Sequence, residues 1–301
     1  MGVVLSAAGV AVRVAGAASP RWGAAVALPM FAHVAKPRAV GVADEATMWR
    51  AQRSTVRIPG LARSGVDVGV YEWGQGRDTV VLAHGWSGRA SQFATLVREL
   101  VAEGCRVVAF DAPAHGDTPG RGTYLTDWTD ILAAMASRHG RLRAVVGHSF
   151  GGLGALIAAA DGLPVDRVIT VAAPADPDRL LTQFQRMLGY GDRVTAALRV
   201  RFARRYFPDE SDALSRRSAL LRPLPPGVSL LAVHDEGDRM VPFGELSRIA
   251  GANAGAHTLV THGFGHNRVL ASDPFLDAVV EFVGESRAHV AANSSSAVAA
   301  A

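Results

Sequence analysis

Ser149 is the residue whose setting most plainly prepares it for chemistry. It lies in Gly147-His148-Ser149-Phe150-Gly151, after an apolar run that begins at Arg143 and before an Ala- and Leu-rich segment from Leu153 to Ala160. That order reads as strand, sharp turn, helix. Side chains at positions 147 and 151 would collide with the adjoining strand and helix, and the turn forces the serine into a strained backbone conformation that lifts its hydroxyl clear of the sheet. A hydroxyl so placed becomes a nucleophile when a base takes its proton. The Phe150 N–H opens the helix without an intrahelical acceptor and faces the place where an oxyanion would form. The five-residue pattern alone recurs by chance, and its strand-and-helix context gives it weight.

A base and an acid lie further along. His262-Gly263-Phe264-Gly265-His266-Asn267 follows the last strand, His257 to Thr261. His266, at the tip of a glycine-rich loop, can reach across to Ser149, whereas His262 is tied to the strand end, so His266 is the favoured base. The acid belongs after the strand Val228 to Val233, in His234-Asp235-Glu236-Gly237-Asp238. Asp238 lies in the loop beyond the strand and is preferred over Asp235 at the strand end; either could simply brace the loop. The tripeptide His84-Gly85-Trp86 follows an apolar run from Thr79 to Ala83. Its glycine permits close backbone approach to a ligand, and the Trp86 N–H is the expected second oxyanion donor, with a loop-plugging side chain as the alternative. Asp111 and His115, in a turn-rich loop at the same edge, read as loop-bracing groups.

These residues require a sheet whose strands end on one edge. Buried runs at Thr79–Ala83, Cys105–Phe110, Arg143–His148 and Arg167–Ala172 alternate with helical patterns at Arg89–Glu103, Asp127–Arg138 and Phe150–Asp161. This is the βαβ rhythm of a mainly parallel sheet, preceded by a hairpin-like pair, Ser54–Ile58 and Asp67–Trp73. After Pro174 the rhythm breaks, and Ala175 to Gly227 shows amphipathic patches without a strand, as expected of a helical cap over the serine. Its apolar stripe reads mostly as helix core and its arginines as a solvated face.

Residues 1–53 read as an apolar helical extension broken by Pro20, Pro29 and Pro37, residues 54–285 as the main domain, and the Ala- and Ser-rich residues 286–301 as a disordered tail. Val3 to Ala18 lacks a basic leader, and Arg13 interrupts it before a spanning length is reached. The expectation is a cytoplasmic protein whose first 50 residues pack on the domain or touch a membrane surface, with an uncleaved anchor or export signal as the alternative. The net charge of +4 comes from arginine, Lys36 being the only lysine, and no aromatic-interleaved basic strip marks a nucleic-acid binder. One cysteine, Cys105, excludes an internal disulfide and a cysteine-based metal site, and reads as a small core residue.

Taken together, the order Ser149, Asp238, His266, the strand-turn-helix serine and the His-Gly-Trp loop resemble the α/β-hydrolase superfamily across residues 54–285. Asp111 to Gly116 and Gly147 to Gly152 are most similar to its uncharacterised bacterial serine hydrolases carrying Gly-His-Ser-Phe-Gly-Gly. The resemblance implies an eight-stranded, mostly parallel sheet with the second strand antiparallel, helices on both faces and a helical cap. It also implies cleavage of a carboxylic ester or thioester by a Ser149–His266–Asp238 triad, with Trp86 and Phe150 as the oxyanion hole, no metal and no organic cofactor. The same triad serves acyltransferases, C–C bond hydrolases and other superfamily chemistries, and a non-catalytic ligand receptor on the same fold is the rival from another class.

Overall fold

The computed structural model describes residues 2–34, 38–61, 63–207 and 217–285; the tail expected over 286–301 lies outside them. The chain divides into two compact units. Of the described residues, one contains 2–33, 176–207 and 217–221, the other 34, 38–61, 63–175 and 222–285.

The larger unit is built on an eight-stranded sheet: β1 (Gln52–Ile58), β2 (Val66–Trp73), β3 (Thr79–Ala83), β4 (Arg106–Asp111), β5 (Leu142–His148), β6 (Val165–Val171), β7 (Ser229–Asp235) and β8 (His257–Thr261). Their spatial order is β1-β2-β4-β3-β5-β6-β7-β8. β2 runs antiparallel to both neighbours and the rest are parallel. β3, β5 and β6 are buried along their whole length, which is why their apolar residues come in runs instead of strict alternation. Ala83 pairs with Gly147, His148 with Val171, and Asp235 with Thr261. This register brings the carboxyl ends of β3, β5, β7 and β8 to one sheet edge, where ligand sites of open parallel sheets form.

Beyond α3 (Val42–Trp49), helices α4 (Ala94–Ala102), α5 (Leu125–His139), α6 (Phe150–Ala160), α9 (Gly244–Ala252), α10 (Gly265–Arg268) and α11 (Asp273–Gly284) also belong to this unit. The segment predicted as one helix from Arg89 begins as a 3₁₀ turn, Ala90–Phe93, before α4. Helix α3 lies inside this unit, a correction to the boundary placed near Ser54. Met48 joins the core, and the Trp73 indole donates to the Thr47 carbonyl at 2.8 Å. Periodicity shows that α3 has an apolar side but not what covers it.

The smaller unit holds α1 (Gly2–Ala18), α2 (Pro20–Phe31), α7 (Asp178–Leu188) and α8 (Asp192–Tyr206). Phe31 packs edge-on against Phe184 and Phe202, with ring centroids 5.3 and 5.4 Å apart. Such contacts stabilise beyond the area they bury. Arg13 donates to the Leu188 carbonyl at the end of α7 at 2.8 Å, placing a cation where the helix dipole favours one. The N-terminal residues thus share a core with the segment after Pro174. Val10, Val14 and Trp22 stay exposed. Among the described residues no helix is long and apolar enough to cross a membrane.

Candidate active site

Ser149 stands between β5 and α6 with φ 52° and ψ −116°. A non-glycine residue in this region carries a cost of about 1–3 kcal/mol, which the surrounding packing must offset. That packing is tight: a Cβ at Gly151 would lie 2.1 Å from the Ala83 carbonyl oxygen, so only glycine lets α6 start so close to β3. The Ser149 hydroxyl makes no capping hydrogen bond to its own helix. Phe150 is the first residue of α6, so its N–H has no acceptor within the helix.

The His84–Trp86 loop presses against the serine, since a Cβ at Gly85 would come within 2.9 Å of the Ser149 Cβ. This loop is pinned by neutral imidazoles. His84 Nδ1–H donates to the Gly85 carbonyl at 2.7 Å while its Nε2 accepts from the Ala112 N–H at 2.9 Å. The Trp128 indole donates to the His84 carbonyl, and the Ser87 N–H donates to His115 Nε2. Burial lowers the pKa of His84 to about 4 and of His115 to about 3, so both rings stay uncharged near neutrality. The Trp86 ring meets Phe150 edge-on at 5.3 Å.

Asp111 accepts from the Ala90 and Asp117 N–H groups and from the Tyr71 hydroxyl. Arg89 lies 3.5 Å away. Asp111 and His115 therefore tie loops together, the role given to them from the sequence.

The loops after β7 and β8 bring Asp238 and His266, the acid and base expected from the sequence, into contact. Asp238 Oδ2 lies 2.7 Å from His266 Nδ1, and Oδ1 accepts from the Met240 and Val241 N–H groups at 2.7 and 3.0 Å. Burial alone would raise the Asp238 pKa. The hydrogen bonds from His234, His266 and Val241 outweigh it and hold the carboxyl well below the usual range, so it is ionised. This bond leaves Nε2 as the His266 ring nitrogen that Asp238 does not engage.

Asp235 instead clamps the two loops, accepting from the Gly237 N–H, the Thr261 hydroxyl and the Phe264 N–H at 2.9, 2.9 and 3.0 Å. His262 points away, exposed and 3.1 Å from Glu236. His266 reaches the serine turn through His148, whose ring centroid is 4.7 Å from its own. His234, with Nε2 3.4 Å from Asp238 Oδ2, is a further contact that sequence reading missed. Its position at the end of β7 was the available signal.

Asp238 and His266 are thus joined by a hydrogen bond at the sheet edge where Ser149 stands. Similar proteins share this frame. An esterase of Pyrococcus furiosus has a TM-score of 0.57 at 20% identity, over 83% of this chain and 97% of that one. Mouse alpha/beta hydrolase domain-containing protein 10 has a TM-score of 0.58 at 17% identity, over 77% and 97%. A meta-cleavage product hydrolase of Pseudomonas fluorescens has a TM-score of 0.53 at 20% identity, over 75% and 96%. A serine hydrolase-like protein of Dictyostelium discoideum is 28% identical over 114 residues, 35% of this chain, and the match spans about a third (32%) of that relative's length. Residues 80–295, well over half of the chain, match the Alpha/beta hydrolase family, and the chain belongs to that family.

Proposed function

We propose that this protein is a serine hydrolase that cleaves a carboxylic ester or thioester through an acyl-enzyme intermediate on Ser149, as a member of the bacterial branch with the Gly-His-Ser-Phe-Gly-Gly turn. The observation that carries the reading is the Asp238–His266 hydrogen bond of 2.7 Å, formed at the sheet edge where Ser149 stands in its strained turn. His266 Nε2 takes the serine proton as Oγ attacks the substrate carbonyl, then returns it to the leaving alcohol or thiol. Ionised Asp238 fixes the tautomer and stabilises the imidazolium. The Phe150 and Trp86 N–H groups hold the oxyanion, each contributing about 3 kcal/mol in the transition state. Water attacks the acyl-enzyme in the second half, with His266 as the base again.

Burst kinetics with a p-nitrophenyl ester test this. A burst of nitrophenol stoichiometric with enzyme, lost in Ser149→Ala, is expected. Turnover by Ser149→Ala equal to wild type would refute the role of the serine.

A second reading concerns location. Val10, Val14 and Trp22 are exposed on helices that carry Arg13 and Arg21 and no acidic residue, which supports peripheral contact of residues 1–50 with an anionic bilayer. Co-sedimentation with phosphatidylserine vesicles should weaken in Trp22→Ala, and equal recovery with neutral vesicles would argue against it.

A further inference from the structure

We propose that His148, the residue before the nucleophile, is a positioning residue that works with Gln92 to hold the His266 loop against the serine turn and so fixes where the His266 imidazole stands. The inference rests on the acyl-transfer reading of Ser149, His266 and Asp238.

His148 and His266 are 118 positions apart in sequence, yet His148 Nε2 lies 2.8 Å from the His266 backbone carbonyl oxygen. A carbonyl only accepts, so Nε2 carries the proton. Nδ1 is then the lone-pair nitrogen, and Gln92 Nε2 stands 3.1 Å from it with N–H bonds to donate. Both ring nitrogens are used, and the tautomer is set from both sides.

The ring itself is buried and lies beside that of His266 at a 50° tilt. Burial, with His266 next to it, lowers its pKa to about 3. It therefore neither competes with His266 for the serine proton nor repels a His266 imidazolium.

Residue 266 is thereby gripped at two points. Asp238 holds its ring at Nδ1, and His148 holds its backbone carbonyl. One bond fixes the tautomer and rotation of the ring; the other fixes the distance of the loop from the serine turn. Gln92 anchors the arrangement to the 3₁₀ turn that Asp111 secures through the Ala90 N–H at 2.7 Å. An apolar ring at position 148 would fill the space but leave the His266 carbonyl without this donor and Gln92 without this acceptor, a loss felt in geometry as well as stability.

The test compares His148→Phe, His148→Gln and Gln92→Leu with wild type, by p-nitrophenyl butyrate kinetics and by the downfield proton resonance of His266 Nδ1–H···Asp238. Phenylalanine keeps the ring volume without a donor, whereas glutamine places an amide N–H near the position of the imidazole Nε2. In His148→Phe, kcat should fall about 100-fold with little change in KM, because misplacement of a catalytic group by about 1 Å costs that much. The resonance should shift or broaden. His148→Gln should recover most of both, and Gln92→Leu should show the same changes to a smaller extent.

A folded His148→Phe protein with wild-type kcat or an unmoved resonance would overturn the proposal, as would a His148→Gln variant no better than His148→Phe. If His148→Phe does not fold, Gln92→Leu decides by the same two readouts. If wild type itself neither turns over the ester nor reacts with a fluorophosphonate, the acyl-transfer reading fails, and the resonance alone decides whether His148 positions His266.

Discussion

Three buried, neutral histidines should make the fold acid-labile well above the pH at which carboxylates titrate. His84, His115 and His148 have pKa values lowered to about 4, about 3 and about 3, chiefly by burial, from an ordinary 6.5. A base depressed in the folded state contributes stability that is whole above its unfolded pKa and is lost as pH falls toward its folded one. From about pH 8 to about pH 5 each ring should therefore forfeit about 2 kcal/mol, or about 6 kcal/mol for the three. Asp127 opposes this. Burial raises its pKa to about 6, so its contribution is lost as pH rises through that value and returns on acidification, by about 1 kcal/mol at pH 5. Asp235 and Asp238 are lowered instead and titrate below this window. The net loss, about 5 kcal/mol, is a large part of the 5–15 kcal/mol typical of a folded domain. Urea unfolding followed by tryptophan fluorescence at about pH 8, 6.5 and 5, at fixed ionic strength, measures it. His115→Asn should remove about a third of the histidine loss. A stability change under about 1 kcal/mol between the end points, or a His115→Asn profile parallel to wild type, would refute the reasoning.

Three further outcomes are expected. Asp238→Asn should keep the fold and lower kcat by about 10⁴-fold, because an amide cannot hold the productive imidazole tautomer; an ester assay reads this directly. Gly151→Ala should lower the melting temperature or abolish soluble expression, since its Cβ would lie 2.1 Å from the Ala83 oxygen and clashes of this kind cost about 1–3 kcal/mol or more. Arg13→Ala should cost about 1 kcal/mol through the lost bond to the Leu188 carbonyl, seen as faster hydrogen exchange in α1 and α7.

The sheet was legible because its central strands are rich in apolar residues and its glycines fall where elements press together, as at Gly151 and Gly85. Ser149, His266 and Asp238 could be singled out as candidates because each follows a strand at a turn-rich loop, and those strand ends share an edge. The contacts that hold them were less legible. Nothing local in Gln92 or His148 announces a partner, since the bonding group is far along the chain or belongs to the backbone. The partner of α1 and α2 was hidden for a similar reason: an apolar stripe shows that a face is covered, while the covering helices α7 and α8 are some 150 residues away. Helix α3 is tied to the larger unit by the Trp73 indole and Arg98 on Thr47 and by Met48 in the core, contacts that composition does not announce.

The central claim is that Ser149 is a nucleophile activated by His266 beside an oxyanion hole. Intact-mass measurement after treatment with a fluorophosphonate tests it most directly. One phosphonyl adduct per wild-type chain, none on Ser149→Ala and strongly slowed labelling of His266→Ala are expected. An unlabelled, well-folded wild type, or a Ser149→Ala chain that labels as wild type does, would contradict it.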